Sequence, residues 1–291
     1  MNHSHTREET LFVDDSVWVL ADSTGVAAYD FPFDRFFPTR RPWQRPEMVE
    51  VVARIGAFDD YPAQHAELLG HGIRLVHTPE HHLRCSTLPG WYPLLKDLTP
   101  RSVWFDKPPS ATVVGDALGW PIFLKGTRQT SRHNRSLAII GNPDEFERAM
   151  DAFVRDPILG WQGIVCREFV HLRPVEDTDP ARIPASFEFR TFWWRGHLVG
   201  LGRYWWDSKP YSLTDQERSR VIEIAAEAAN RVAVPFLVVD VAQTIDGRWL
   251  VIECNDGQES GYAGASPVGV WQNIIRSERE RLGTLLESRS S

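Results

Sequence analysis

The chain has 291 residues, 42% hydrophobic and 24% charged, which fits a globular protein able to bury a large core and divide into two or three lobes. Its formal net charge of -7 argues against a general nucleic-acid binder. The polar start MNHSHTREET lacks a signal-peptide core, no run reaches membrane-spanning length, and Cys85, Cys166 and Cys254 have no metal-like spacing, so a cytoplasmic protein with no membrane partner is expected.

Residues 11–21 read as one or two strands (LFV, then VWVLA), and 29–46 as an irregular loop rich in Pro, Phe and Arg. A strand over 49–55, a short helix over 63–69 stopped by Gly70 and Gly72, and a strand over 73–77 suggest a small α/β lobe. Residues 89–98 (PGWYPLLKDL) are a helix candidate, and Thr99 and Pro100 open an extended run. A buried strand, GWPIFLK, ends at Lys125 and leads into a polar stretch, GTRQTSRHNRS, with three arginines. Asn142, Pro143 and Glu145 then supply a cap, a first-turn proline and a capping-box acid for a helix carrying Phe146, Ala149, Met150 and Phe153 at helical spacing.

A strand over 163–170 (GIVCREFV) and a Pro/Asp-rich insert over 173–184 follow. Two strands, 187–194 and 197–204, are joined across Arg195 and Gly196, and Thr214 with Glu217 makes a capping box for a helix running to about Val232. An amphipathic helix over 268–286 closes the chain. The paired tryptophans Trp193–Trp194 and Trp205–Trp206 serve as core packing or, alternatively, line a pocket.

Between those helices stands FLVVDVAQTIDGRWLVIECN, two β-branched runs around Asp246 and Gly247, the signature of a hairpin with a two-residue turn. A turn centred there sets Asp240 opposite Glu253, with Asn255 on the face of Glu253 and Cys254 on the other. Opposed carboxylates destabilise a sheet by ~0.2–1 kcal/mol, so a cation between them is expected. Asp, Glu and Asn offer hard oxygen donors that suit Mg²⁺ or Mn²⁺. The alternative is a solvent-facing polar row, for which LVVDV is too apolar.

The candidate charges are Lys96, Lys125, Arg128, Glu168, Glu188, Arg190, Arg203, Asp240, Glu253 and Asn255. Basic groups beside a set of oxygen ligands are what a nucleoside triphosphate needs. The order of motifs over residues 89–264 resembles the ATP-grasp superfamily: strand-lysine (GWPIFLKG), polar loop, helix, hinge strand (VCREFV), FEFRTFW, GLGRYWW, helix, then VVDVA and VIECN. The resemblance implies an α/β (α+β) fold with two α+β subdomains, 89–172 and 173–291, clasping ATP behind a small pre-ATP-grasp lobe at 1–88.

It also implies roles. Lys125 resembles the lysine on the α/β-phosphates, and Lys96 the earlier ATP lysine, with Lys107 competing for that place. Glu168, Phe169 and Val170 resemble the adenine hinge, Glu188 the ribose ligand, Arg190 an arginine directed at the phosphates, and Arg203 the one that steadies the γ-phosphate. Asp240, Glu253 and Asn255 match the metal ligands. A structural salt bridge remains the alternative for each arginine, and a plain surface strand end for Lys125.

The loop after Lys125 departs from the family's glycine-rich pattern, carrying Arg128, Arg132, His133 and Arg135. These suit phosphate or an acidic substrate; a solvated loop is the alternative. The implied activity is an ATP- and Mg²⁺-dependent ligase that joins a carboxylate to an amine through an acyl phosphate, releasing ADP and phosphate. Small-molecule or peptide substrates would be met at Gln258, Glu259, Ser260 and Tyr262. A phosphotransferase acting on a small molecule and a nucleotide-binding module without turnover are the rival readings.

Overall fold

A computed structural model of the chain describes residues 9–13, 16–40, 47–128, 135–175 and 183–290. Arg132, His133 and most of the Asp-rich insert lie outside them. Three sheets organise the described chain.

The first sheet holds β1 (Glu9–Val13), β2 (Val17–Ala21), β3 (Thr39–Arg40), β4 (Val49–Arg54) and β5 (Ile73–Leu75) in the order β3-β1-β2-β4-β5. The β2–β4 and β4–β5 pairs are parallel. Its helices are α1 (Phe33–Phe36) and α2 (Tyr61–Gly70), followed by α3 (Pro79–Ser86) and α4 (Leu88–Leu95). The second sheet is antiparallel, β6 (Ser102–Phe105), β7 (Ile122–Gly126), β8 (Ile139–Ile140) and β9 (Ile164–Glu168) in the order β6-β9-β7-β8. It is covered by α5 (Ala111–Leu118) and α6 (Pro143–Arg155), whose Val114, Phe146, Met150 and Phe153 pack on Ile122, Leu124 and Cys166.

The third sheet is also antiparallel, β10 (Glu188–Trp194), β11 (His197–Arg203), β12 (Phe236–Gln243) and β13 (Trp249–Asp256) in the order β11-β10-β12-β13. With it come α7 (Asp215–Val232) and α8 (Pro267–Ser290). Helix α7 starts on the expected capping box: Thr214 Oγ1 accepts from Glu217 N at 3.2 Å, and Glu217 Oε2 from Thr214 N at 2.8 Å. In α6 the Asn142 side chain caps Glu145 N at 3.0 Å, but Glu145 reaches past the cap to accept from Gly141 N at 2.6 Å. Helices α3 and α5 were not foreseen, being only two turns long, although Thr78 and Ser110 cap them.

Alternate residues of the third sheet serve opposite faces. Phe189, Trp193, Leu237, Val239 and Val241 pack with Val221, Ala225 and Val232 of α7 and Trp91 and Leu95 of α4. On the other face Phe192, Trp194, Phe236 and Val238 meet Val17, Val19 and Val52 of the first sheet and Trp271 and Ile274 of α8. This second face is apolar over only half its length. The next register positions are Arg190, Asp240 and Glu253.

The β12–β13 hairpin corrects one expectation. Thr244 and Arg248 enclose a three-residue turn at 245–247, with Gly247 at φ +86°, rather than a two-residue turn. Register there is offset by one, Val241 opposite Val251, and a bulge at Ile252 restores it, so Asp240 still pairs with Glu253. Among the described residues no helix is long and apolar enough to cross a membrane.

Candidate functional site

The polar half of the third sheet faces a cavity of about 470 Å³ bounded on its other side by β7 and β9. Lys125 ends β7, Arg167 and Glu168 end β9, Glu188 starts β10 and Glu253 lies on β13; all line it, as do Phe169 and Val170. Phe123, Ile139, Leu172 and Ile252 add an apolar wall. Apolar surface at one end and converging cations at the other suit a molecule with a flat ring and an anionic tail.

The opposed carboxylates each have a side-chain cation. Arg190 Nε donates to Asp240 Oδ1 at 2.8 Å and Nη2 to Oδ2 at 2.7 Å, while Nη1 donates to Gly261 O at 2.9 Å. Burial works against the charge of Arg190, but the Asp240 carboxylate more than offsets this and holds its pKa above the ordinary arginine value. Lys125 Nζ donates to Glu253 Oε1, with the lysine side chain almost wholly buried. Between them, Cys254 points to the opposite, apolar face, and burial pushes its thiol well above the usual range, so no thiolate is on offer.

Glu188 is buried and accepts from Ser186 Oγ at 3.1 Å and Trp205 Nε1 at 3.1 Å. Glu168 is tied at the rim to Arg101 Nε at 2.7 Å. Of the paired tryptophans, Trp193 and Trp194 are core, whereas Trp205 lines the cavity and Trp206 is exposed.

Other expected residues stand elsewhere. Lys96 follows α4 and Lys107 follows β6; both are exposed and neither lines this cavity. Arg203 pairs with Phe189 across the β10–β11 ladder, which turns it to the face opposite Arg190. Its guanidinium lies 5.6 Å from the Tyr211 ring centroid.

Sequence reading overlooked Arg167. Its Nη1 donates to Ile252 O at 2.7 Å and its Nε to Ser102 Oγ at 3.0 Å, while Nη2 is buried with no hydrogen-bond partner among the described residues. Burial lowers its pKa to about 10 despite the nearby Glu253 charge, so it is cationic at neutral pH. The signal was present: in IVCRE, alternation puts Arg167 with Val165, away from Cys166 and the α5–α6 core.

A second cavity, of about 320 Å³, shares Tyr204 and Glu253 with the first. Arg128, Arg190, Asn255 and Glu259 line it. Of the loop residues expected at substrate, Glu259 and Ser260 reach it. Gln258 instead binds Ala53 N at 3.0 Å and Tyr61 Oη at 3.1 Å, and Tyr262 Oη accepts from Trp271 Nε1 at 2.6 Å. The loop is bolted to the first sheet by Arg54 Nη1, which donates to the carbonyls of Gly257, Gln258 and Ser260 at 2.7–3.0 Å. It passes so close over β11 that a Cβ on Gly202 would sit 2.0 Å from Ala265 N.

His77, Cys85 and Asp256 cluster beneath this loop. His77 Nε2 accepts from Phe236 N at 2.9 Å, so Nδ1 carries the proton and donates to Asp256 Oδ2 at 2.9 Å. Both ring nitrogens are engaged, and the cluster is a tie between lobes.

Two sheets meeting over such a cleft define the ATP-grasp fold. An ATP-grasp domain family, the third of its clade, matches residues 117–274, more than half of the 291 residues, and the chain belongs to that family. Among solved structures it is similar to a RimK-domain ATP-grasp protein from Sphaerobacter thermophilus (TM-score 0.55, 14% identity, 78% of this chain and 80% of that one). It is similar to D-alanyl-alanine synthetase A from Vibrio cholerae (0.54, 15%, 79% and 76%) and to D-alanine–D-alanine ligase from Bacillus anthracis complexed with ATP (0.56, 13%, 79% and 78%). At these identities the likeness is one of fold. No curated protein matches the sequence.

Proposed function

We propose that the protein is an ATP- and Mg²⁺-dependent carboxylate–amine ligase, with 1–88 as an accessory lobe and 89–172 and 173–291 as the two halves that hold ATP. The observation that carries this is the pair of adjoining cavities: one apolar and cationic, the other polar, with Tyr204 and Glu253 in the wall common to both. A nucleotide in the first would present its terminal phosphate to a substrate in the second.

Main-chain groups of Phe169 and Val170 would read the adenine edge, with Glu168 at the rim and Glu188 toward the ribose hydroxyls. Lys125 and Arg167 neutralise phosphate oxygens. The substrate carboxylate oxygen attacks the γ-phosphorus, the bond to the ADP oxygen breaks, and an acyl phosphate forms. The amine nitrogen then attacks the acyl carbon, phosphate leaves with the electron pair, and the nitrogen gives up a proton. Orientation and charge neutralisation suffice, and no protein nucleophile is needed.

Glu253 and Asn255, hard donors lining the second cavity, fit Mg²⁺ or Mn²⁺. Asp240 has both oxygens held by Arg190 and would join them when phosphate draws that guanidinium away. The bound ion would screen charge on the transferred phosphoryl oxygens. Arg203, behind the sheet, would steady the γ-phosphate only after its side chain turns round the strand end. Lys96, on the surface, would have to move likewise to meet the nucleotide. Three buried free thiols support a cytoplasmic setting.

Incubation with ATP, Mg²⁺ and pools of amino acids and short peptides tests the proposal. ADP together with a new amide is expected. A stable phosphorylated product would instead make the protein a phosphotransferase, and no turnover across broad pools would make it a binder.

A further inference from the structure

The charged side chains of the second cavity fall into two groups. Asp256 is 1% exposed and accepts from His77 Nδ1 at 2.9 Å, Gln258 N at 2.7 Å and Gln258 Nε2 at 3.2 Å. Arg190 is held by Asp240 and Gly261. These are fixed parts of the wall. Arg128 and Glu259 are different: Nη2 donates to Oε2 at 2.6 Å, linking the segment after β7 to the loop after β13 across the cavity.

Glu259 is anchored from behind. Its Oε1 accepts from Phe58 N at 3.2 Å and lies 3.1 Å from His82 Nε2, and the His82 ring stacks on Tyr61 at 3.9 Å. Its Oε2 is the atom turned to Arg128. Both side chains are largely shielded, 19% exposed for Arg128 and 10% for Glu259, so stripping either of its partner is unfavourable. A ligand with only a carboxylate takes Arg128 away and leaves Glu259 without its guanidinium. A ligand with only an ammonium does the reverse. A ligand with both exchanges one ion pair for two, and every charge keeps a partner.

We infer that the second cavity binds an α-amino acid as its zwitterion, ammonium on Glu259 Oε2 and carboxylate on Arg128. The volume is at the lower end for small-molecule sites, which suits a single amino acid. This inference rests on the ligase reading, since that carboxylate is the one presented to the phosphate across the wall of Tyr204 and Glu253.

The test is calorimetric binding to the full chain in the presence of a non-hydrolysable ATP analogue and Mg²⁺. The probes are the L- and D-amino acids, each compared with its deaminated acid and its decarboxylated amine. At least one amino acid is expected to bind tenfold or more tightly than both of its analogues. In Glu259→Gln the amino acid should lose that advantage over its deaminated acid. If the analogue binds and no amino acid outperforms its one-charge counterparts, the inference falls and the ligase reading stands. Retained discrimination in Glu259→Gln also overturns it. Failure of the ATP analogue itself to bind overturns the ligase reading and this inference together. The wild-type comparison decides the matter even if the variant does not fold.

Discussion

Arg190 on β10 and Asp240 on β12 are direct register partners joined by two parallel hydrogen bonds, Nε to Oδ1 at 2.8 Å and Nη2 to Oδ2 at 2.7 Å. Asp240 is fully buried, so its charge depends on that guanidinium. Breaking a buried pair from one side costs about 3–5 kcal/mol, whereas replacing both members with apolar groups is often neutral. Arg190→Met is therefore expected to lose about that much stability in urea denaturation. The double variant Arg190→Met/Asp240→Leu should recover most of it. Equal losses in the two variants would show that the pair is not the source of the effect.

Arg167 has a buried, unpartnered Nη2 in the wall of the first cavity, and such a group is unfavourable unless a ligand completes it. Arg167→Gln is expected to weaken binding of a non-hydrolysable ATP analogue tenfold or more by calorimetry. Lys96→Gln and Lys107→Gln, on exposed residues outside the cavity, should change it less than twofold.

Asp256 governs an acid transition. Burial alone would raise its pKa, but the charge and hydrogen bond of His77 and the Gln258 N–H overcome this and hold it below 3.8. The folded state then binds fewer protons than the unfolded state between the lowered pKa and 3.8. The contribution is complete above about pH 4, the ordinary carboxylate range, and is lost as pH falls through the folded value. Asp256→Asn is expected to be less stable at neutral pH and to lose less further stability on acidification than wild type, as denaturation curves across acid pH would report.

Glu253 carries an oxygen donor to the wall between the cavities. Glu253→Gln keeps the shape and removes the charge that both a metal and Lys125 use. Mg²⁺-dependent ATP turnover is expected to fall at least roughly 10–100-fold. Turnover near the wild-type level would exclude Glu253 as a ligand.

The hairpin was legible for a partly fortuitous reason. Alternation around Asp246 and Gly247 pointed to Asp240 opposite Glu253, and the ladder agrees at that rung. It does so because a three-residue turn and the Ile252 bulge cancel, neither of which β-propensity can foresee. The expected cation between the carboxylates proved to be two side chains, Arg190 and Lys125. Lys125 ends a strand and announced itself; Arg190 shares a face with Glu188 by simple alternation. Arg203 was misjudged because its direction depends on the β10–β11 register, which shifts at Phe192 and Trp193. The loop after β13 looked like a substrate loop throughout, but Gln258 and Tyr262 are held by residues distant in sequence from them or buried in α8, such as Ala53 and Trp271. Only tertiary packing separates those from Glu259.

The central claim is that ATP lies between the second and third sheets, with its phosphates at Lys125. A crystal structure with a non-hydrolysable ATP analogue and Mg²⁺ tests it most directly. The account predicts adenine against Phe169 and Val170, phosphates on Lys125 and Arg167, and the ion on Glu253 and Asn255 with Arg190 released from Asp240. A nucleotide bound outside this cavity, or phosphates remote from Lys125, would contradict it.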